Sequence, residues 1–351
     1  MSIYIHKPGP LTTIQDLGRT GYGKYGVIVS GAMDRFAHRA ANWLVGNNGG
    51  AAALEITLSG FAAEFRQNHW IAITGGDMAP VIDGSPVPMW RPVFVRKGSR
   101  LVLKRPVSGC RAHVAVSGGL DVPEVMGSRS TYLRAGIGGF GGRPLKAGDE
   151  LAVGPASLRD PYPVPASLES RLCKAPTISG AAGEDGPFYA VHWTIPWSLL
   201  PAYSRKPVIR VIRGRQWDDF TQASRRAFLE SAFLVTPQSD RMGYRLSGPS
   251  LELESPREYL SEAVAVGTVQ IPADGQPIVL MADRQSLGGY PKIAQVISAD
   301  LPVLAQTVPG GNVSFREVTP EEAESLYLRG ERKLKRLEMM IRLKLKEGYH
   351  A

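Results

Sequence analysis

The chain has 351 residues, which predicts one large domain or two of medium size. Hydrophobic residues make up 43% and charged residues 21%, and 39 glycines with 27 prolines favour a turn-rich protein of short strands over a helix bundle. The formal net charge is +9, but eight Lys and Arg against three Glu within residues 329–347 supply much of it. We therefore interpret the charge as a solvated helix face and do not expect nucleic-acid binding.

No run of 18 apolar residues occurs, so no membrane-spanning helix is expected. The N-terminus has no apolar segment before its first prolines, so we expect no signal peptide. The two cysteines, Cys110 and Cys173, are too few for a disulfide framework and match no zinc spacing. These features together predict a protein of the reducing cytoplasm.

Residues 1–154 are predicted to form a β-rich N-terminal half with one helix. The helix is expected near Met33–Val45, with Ser30 as its N-cap and Gly46 as its stop. Its apolar stripe would consist of Ala37, Ala40, Ala41 and Leu44. Alternating runs between Gly-containing turns predict strands at Trp70–Thr74, Val93–Val95, Leu101–Leu103 and His113–Ser117.

Residues 155–205 are rich in Pro and Ser and predict a connector. Residues 206–318 are predicted to form a β-rich C-terminal half, in which the strand Val208–Ile212 precedes a helix near Trp217–Phe233. Further strands are expected at Ala263–Ile271, Ile278–Met281, Ile293–Ile297 and Val313–Val318.

Residues 319–351 predict a basic C-terminal helix. Thr319 at the N-cap, Pro320 at the first helical position and Glu322 at the third have the pattern of a capping box. One face of the helix is apolar, and it consists of Leu334, Leu337, Ile341 and Leu345. We expect this face to pack on the protein itself or on a partner rather than on a membrane.

Several familiar motifs are incomplete. Gly18–Lys24 has the spacing of a phosphate loop, but Tyr25 stands where Ser or Thr would bind magnesium. The G-x-G-x-x-G matches at Gly21 and Gly136 do not lie between a strand and a helix. The six histidines show no metal-ligand spacing, so no metal site is expected.

Polar segments punctuated by glycines stand out more strongly, and Asp-Arg neighbours recur in them at Asp34-Arg35, Asp240-Arg241 and Asp283-Arg284. An arginine binds a carboxylate through two hydrogen bonds, so these segments suit an acidic or amide-bearing substrate. The alternative is that each Asp and Arg holds its own loop in place through a local ion pair.

The same segments resemble one family throughout most of the chain, from about Ile5 to Val318. They read GPLTTIQDLGR, SGAMDRFAHRAAN, AALEITLSG, SGGLDVP, GSRST, SDRMGYRLSGP and DGQPIVLMADRQSLGGYPKIAQVISADLP, in the family's order. The family is that of carboxyltransferase subdomains A and B, also called allophanate hydrolase subunit 2 or KipA. Small departures are Ser286-Leu287, where relatives often carry two threonines, and Tyr132, where many carry Asp.

The resemblance implies a mainly β fold with a cyclophilin-like β-barrel architecture, two β-rich halves and the C-terminal helix. It implies a component of an ATP-dependent 5-oxoprolinase complex that opens 5-oxoproline to L-glutamate. ATP would be used by the complex without being clearly bound by this chain. The expected partners are a KipI-like protein and a LamB/YcsF-like protein, and the chain alone is expected to be inactive. The family name allophanate hydrolase is poorly supported, because the amidase signature is missing.

Under this resemblance, Arg241 or Arg284 would hold the substrate carboxylate, and Asp240 or Asp283 would orient water or take a proton. Tyr290 and Lys292 would donate to developing negative charge. Further substrate-binding residues are expected at Gln15, Asp16, Arg19, Ser30, Asp34, Arg129 and Gln285.

Two other functions stay open on the sequence. The first is carboxyl transfer from carboxybiotin to an amide such as urea, which needs a biotin carrier on another chain. The second is non-catalytic sequestration of a KipI-like inhibitor of a sensor kinase.

Overall fold

The computed structural model describes residues 2–155 and 187–347, and within them the chain forms two compact units. The first unit contains the described residues within 1–18, 35–200 and 333–351. The second unit contains residues 19–34 and 201–332. Residues 19–34 therefore belong to the second unit although they lie in the N-terminal part of the sequence. The C-terminal helix begins in the second unit and ends in the first.

The described residues of the first unit form two six-stranded sheets, a helix over residues 35–44 and the last part of the C-terminal helix. Its strands are β1 (Ser2–Pro8), β2 (Leu11–Gln15), β3 (Ala53–Thr57), β4 (Phe61–Phe65), β5 (His69–Asp77), β6 (Pro80–Ile82), β7 (Ser85–Pro86), β8 (Pro92–Val95), β9 (Arg100–Leu103), β10 (Ser108–Val116), β11 (Glu150–Ala152) and β12 (Phe188–Ala190). One sheet has the order β11-β1-β4-β9-β6-β7 and the other β12-β8-β5-β10-β3-β2. Side chains such as Ile56, Ile73 and Val114 form the core of the unit.

Helix α1 (Arg35–Leu44) packs on β5 and β10 of the second sheet. All four residues of its predicted apolar stripe are buried, and Gly46 follows it with φ +75°, which fits the expected stop. Ser30 is not its N-cap, because the helix begins at Arg35 and the Ser30 hydroxyl donates elsewhere, to Asp283. His38 and Asn42 share the buried side of the helix.

The second unit is a closed seven-stranded barrel with two α-helices and a separate strand pair. Its elements are β13 (Val208–Arg213), α2 (Gln222–Glu230), β14 (Ala232–Val235), β15 (Gly243–Ser247), β16 (Glu262–Ala263), β17 (Thr268–Gln270), β18 (Ile278–Leu280), β19 (Leu287–Gly288), β20 (Lys292–Val296), α3 (Leu301–Ala305) and β21 (Asn312–Glu317). The barrel order is β13-β20-β17-β18-β15-β14-β21, and β16 pairs with β19 outside it. The parallel pairing of β13 with β21 closes the barrel.

Aromatic packing ties α2 to the barrel core. The Phe228 ring on α2 stacks on that of Phe315 in β21, with centroids 4.5 Å apart, and Phe233 of β14 packs beside both. All three side chains are almost fully buried. Their burial supplies a large apolar area, which is the main favourable term in holding a helix on a barrel.

The predicted mainly β architecture, with a barrel and a C-terminal helix, is confirmed. Two predicted elements differ in extent. The helix predicted near Trp217–Phe233 is shorter, because Thr221 caps α2 through the Ser224 amide and the chain is already in β14 at Phe233. The strand predicted at Ala263–Ile271 is divided into β16 and β17, because a turn with Gly267 at φ +85° separates them.

Helix α4 (Pro320–Glu347) confirms the capping pattern and the apolar face. The Thr319 hydroxyl accepts a hydrogen bond from the Glu322 amide at 3.2 Å. The predicted apolar residues are all buried, with Leu337 only 1% exposed. Of the predicted connector, residues 156–186 lie outside the described residues, and Phe188–Ala190 form β12, which pairs with β8.

Candidate functional site

Two of the three Asp-Arg neighbours meet in the second unit, where Arg241 and Asp283 form a buried ion pair. The Arg241 Nε donates to Asp283 Oδ2 at 2.9 Å, and its Nη2 donates to Asp283 Oδ1 at 3.0 Å. Arg241 is 3% exposed and Asp283 4%. A paired and buried guanidinium is poorly placed to take a substrate carboxylate, so this pair positions its neighbours instead.

The neighbours that the pair positions belong to residues 19–34. The Ser30 hydroxyl donates to Asp283 Oδ1 at 2.6 Å, and the Gly31 carbonyl accepts from Arg241 Nη2 at 2.6 Å. Ser30 has φ +56°, in the left-handed region that non-glycine residues seldom adopt. The two hydrogen bonds therefore fix a strained turn against the barrel unit to which these residues belong.

Asp34 fixes the other end of the same segment. Its Oδ2 accepts from the Tyr203 hydroxyl at 2.6 Å and from Gln306 Nε2 at 2.9 Å. Burial, followed by the charge of Asp34 and this hydrogen bond, raises the pKa of Tyr203 well above its ordinary value. The hydroxyl is thus a donor, and Asp34 stays an acceptor in a buried network.

Asp240 is exposed in a loop, whereas Arg19 is fully buried. The Asp240 Oδ1 accepts from the amides of Met242 and Gly243, at 2.8 and 3.1 Å, and so closes a turn of its own loop. Arg19 is fully buried in the second unit, and its amide donates to the Val29 carbonyl at 2.8 Å.

Lys292 is a buried cation at the start of β20. It is 7% exposed, and its Nζ lies 3.3 Å from the Gly288 carbonyl and 3.4 Å from the Tyr290 carbonyl. Within residues 2–155 and 187–347, no carboxylate forms a salt bridge with it. A buried ammonium held only by two long carbonyl contacts is costly, so it is poised to take an anionic group.

The backbone holds Lys292 in place through its neighbours. Its amide donates to Gln216 Oε1 at 3.1 Å, which ties the beginning of β20 to the turn before α2. In the pairing of β17 with β20, Lys292 lies directly opposite Gln270. Directly opposed residues of antiparallel strands project to the same side of a sheet, so the two side chains are neighbours.

Arg284 supplies a second cation near this cluster. Its Nε donates to the Val264 carbonyl at 3.2 Å, and no described carboxylate pairs with its guanidinium. Burial lowers the pKa of Arg284 from its ordinary value, although an arginine stays charged at neutral pH. The adjacent Gln285 donates from Nε2 to Gln270 Oε1 at 3.4 Å.

Tyr290 differs from these groups because its side chain is 49% exposed. Its backbone carbonyl accepts a hydrogen bond from Lys292 Nζ. Lys292, Arg284, Gln270, Gln285 and Tyr290 define what we call the lysine cluster. Its two cations without carboxylate partners can bind an anion or stabilise negative charge that develops on an oxygen.

The other predicted site residues lie in the first unit. The buried Gln15 donates from Nε2 to Thr13 Oγ1 at 3.0 Å and to the Thr131 carbonyl at 3.1 Å. The Arg129 guanidinium donates to the Val122 carbonyl at 3.0 Å and to Glu124 at 3.2 Å.

Asp16 organises the loop that carries Arg129. Its carboxylate accepts from the hydroxyls of Ser128 and Ser130 and from the amides of Arg129 and Gly18. Burial by itself would raise the pKa of Asp16, but these hydrogen bonds outweigh it and hold the pKa below the ordinary value. Asp16 is therefore an ionised anchor of two loops.

The sequence patterns do not single out four further residues of these networks, Gln270, Gln216, Tyr203 and Gln306. Gln270 ends a short strand and Gln306 follows a short helix, and neither lies in a pattern that singles it out. Only the strand register places Gln270 opposite Lys292. A scan for polar residues at predicted buried positions of strands is the one signal that would have found it.

Other kinds of site find little support in the described residues. Lys24 lies in a three-residue 3-10 helix, Gly23–Tyr25, and not at the beginning of an α-helix as a phosphate loop requires. No cluster of three or more His, Cys, Asp or Glu side chains suited to a metal ion occurs in residues 2–155 and 187–347. In the same ranges no helix combines the length and apolar character needed to cross a bilayer.

Comparison with known proteins adds independent findings. The chain is 42% identical over 320 residues to the C subunit of the 5-oxoprolinase of Escherichia coli, which covers 91% of this chain and 92% of that protein. It is 37% identical over 319 residues to the protein of the same name from Haemophilus influenzae, with the same coverage.

A solved structure matches in fold as well. The crystal structure of the Kluyveromyces lactis urea carboxylase superposes with a TM-score of 0.82 and 30% identity, over 96% of this chain. This chain spans only 29% of that one. The family described as carboxyltransferase domain, subdomain A and B, matches residues 25–317. The chain therefore belongs to this carboxyltransferase domain family.

Proposed function

We infer that this chain is the C subunit of an ATP-dependent 5-oxoprolinase that opens 5-oxoproline to L-glutamate in the cytoplasm. The observation that carries this proposal is the identity of 42% to the C subunit of a 5-oxoprolinase, which extends over nine-tenths of both proteins. The lysine cluster supports it, because a lactam with a carboxylate needs one cation for the carboxylate and one donor for the ring carbonyl.

The reaction breaks the ring C–N bond and adds the elements of water, giving the amine and the second carboxylate of glutamate. A lactam carbonyl is a poor electrophile, so negative charge that develops on its oxygen must be stabilised. Lys292 is the group for this task, because its ammonium is buried and the described residues offer it no carboxylate. Tyr290, which is 49% exposed, would supply a further donor through its hydroxyl.

Arg284 would bind the substrate carboxylate. Its Nε donates to the Val264 carbonyl, and no described carboxylate forms a salt bridge with the guanidinium, whose terminal nitrogens would bind the substrate. A guanidinium binds a carboxylate through two parallel hydrogen bonds, whereas the Arg241 guanidinium already binds Asp283 in this manner. We therefore assign the carboxylate to Arg284 and a positioning role to Arg241.

ATP would drive the ring opening from elsewhere in the complex. The loop at Lys24 does not have the form of a phosphate loop, since it leads into a three-residue 3-10 helix and not into an α-helix. We derive no step through ATP in this chain. The proposed partners are a KipI-like B subunit and a LamB/YcsF-like A subunit, and the nucleotide would be bound with their help.

The test is glutamate release from 5-oxoproline by this chain co-purified with its two proposed partners, with and without ATP. We expect ATP-dependent release that disappears when this chain is left out. A stably assembled complex that releases no glutamate would contradict the proposal.

A second function is favoured by the match to the urea carboxylase structure, at a TM-score of 0.82. In carboxyl transfer from carboxybiotin to an amide, Lys292 and Arg284 would polarise the carboxybiotin carbonyl instead. This function needs a biotin carrier on another chain. If the assembled complex releases no glutamate, the next assay would therefore add a biotinylated carrier protein and urea. Glutamate release in the absence of biotin would count against it.

A further inference from the structure

Gln270 has a buried donor to which no described residue offers an acceptor. The side chain is 1% exposed, and none of the described residues accepts a hydrogen bond from its Nε2. Its Oε1 does accept, from Gln285 Nε2 at 3.4 Å. Buried polar atoms in native proteins are nearly always hydrogen-bonded, so an unused donor in a cationic cluster needs an explanation.

The unused donor and the Lys292 ammonium share Gly288 as a neighbour. Both flank Gly288: the Lys292 Nζ lies 3.3 Å from the Gly288 carbonyl, and a Cβ built on Gly288 would meet Gln270 Nε2 at 2.4 Å. Since no real Cβ approaches so closely, Gln270 keeps its position only because residue 288 is glycine. The register of β17 and β20 independently places both side chains on one side of the sheet.

We propose that Gln270 Nε2 is a second donor to the ring carbonyl oxygen of the substrate, and that it makes the lysine cluster select ligands with that oxygen. This inference rests on the proposed function, and it identifies Gln270 as a side chain that recognises the ring carbonyl of the substrate. Gln285 holds the Gln270 amide in this orientation through Oε1 and leaves Nε2 for the ligand. Neither glutamine was among the residues expected to act on the ring carbonyl.

The chemistry defines a pair of ligands for comparison. L-Proline has the same five-membered ring and carboxylate as 5-oxoproline, but it lacks the ring carbonyl and its ring nitrogen is a protonated amine instead of an amide. A site with a buried donor discriminates strongly against an analogue that leaves this donor unpaired. Gln270 should therefore contribute to the affinity for 5-oxoproline and not to that for proline, whereas Arg284 contributes to both.

The experiment uses the assembled complex and measures kcat/KM for 5-oxoproline and the inhibition constant of L-proline. The variants are Gln270→Leu, which removes the donor, and Gly288→Ala, which pushes an intact Gln270 aside. The backbone of Gly288 is not in the left-handed region, so alanine adds no backbone strain there, and its Cβ would meet only the side chains of Gln270 and Val264 within 3.3 Å. Gly330→Ala is the control, because a Cβ at this helical position meets no atom within 4 Å.

We expect both variants to lower kcat/KM for 5-oxoproline about 10- to 100-fold, the range for a lost buried hydrogen bond. The proline inhibition constant and the control should stay within about twofold of the wild type. Activity of Gln270→Leu within twofold of the wild type would overturn the inference, as would an equal loss of proline binding, which indicates a merely structural role. A wild-type complex that does not turn over 5-oxoproline would overturn the proposed function and the inference together.

Discussion

Lys292 and Gln270 lie directly opposite each other in the pairing of β20 with β17, and both are buried. The pair combines an ammonium without a described carboxylate partner and an amide donor without a described acceptor. Two buried polar groups of this kind are unfavourable in a folded protein unless a ligand completes their hydrogen bonds. It is the feature of the second unit that most clearly points to chemistry rather than to stability.

Lys292→Met tests the role of the ammonium. Methionine keeps an unbranched apolar side chain in the buried space, so the barrel should still form. We expect kcat for glutamate release to fall about 100- to 1000-fold, as for loss of a donor to a developing oxyanion. Lys206→Met, at an exposed lysine of the same unit, is the control and should leave kcat unchanged. A Lys292→Met complex with more than half of the wild-type activity would exclude this role.

Arg284→Ala tests the assignment of the substrate carboxylate. The substrates to compare are 5-oxoproline and 2-pyrrolidone, the same lactam without a carboxylate. We expect kcat/KM for 5-oxoproline to fall about 10- to 100-fold, since a hydrogen bond to a charged group is lost, while the lower value for 2-pyrrolidone stays unchanged. Equal losses for both substrates would show that Arg284 acts elsewhere. Arg245→Ala, at an exposed arginine of β15, is the matched control.

Arg241→Met tests the ion pair between Arg241 and Asp283 through the free energy of unfolding of the chain. Removal of the guanidinium leaves the Asp283 carboxylate buried without its counter-charge, so we expect a loss of about 3–5 kcal/mol in the free energy of unfolding. The double variant Arg241→Met with Asp283→Leu should lose less, because no charge is left buried. Urea unfolding followed by circular dichroism measures both. Arg225→Met, which breaks a pair with the exposed Asp218, should cost less than about 1 kcal/mol.

His38, a buried histidine on α1, should make the free energy of unfolding depend on pH. Burial, followed by the neighbouring His113, lowers the pKa of His38 to about 3, while an unfolded histidine titrates near its ordinary value of about 6.5. Between these values the unfolded chain binds more protons, so stability falls as the pH falls. From pH 7 to pH 5 this histidine should account for a loss of roughly 2 kcal/mol.

His38→Gln should flatten that part of the profile. Glutamine keeps a polar group beside Asn42, whose Nδ2 lies 3.2 Å from His38 Nε2, but it does not titrate. Thermal unfolding of the chain at pH 7, 6 and 5 measures the slope, which His192→Gln, at an exposed position, should leave unchanged. An unaltered slope in His38→Gln would show that the acid sensitivity arises elsewhere.

Local patterns predicted much of the secondary structure correctly. The capped helix from Pro320 and the buried face at Leu337 follow from spacing alone, because a helix repeats every 3.6 residues. The strand expected at Ile293–Ile297 is β20, which spans Lys292–Val296. The pattern failed at Ser30, which has the residue type of an N-cap but donates to Asp283, 253 positions away.

The sequence by itself determined that the chain is mainly β, that it ends in a basic amphipathic helix, and that Arg284 and Lys292 are candidates for chemistry. Only the tertiary structure decided that Arg241 is occupied by Asp283 and that Gln270 stands opposite Lys292. The physical reason is that helix and strand patterns depend on neighbours within a few residues. A partner in an ion pair or across a strand register depends instead on how distant segments pack, which no local spacing encodes.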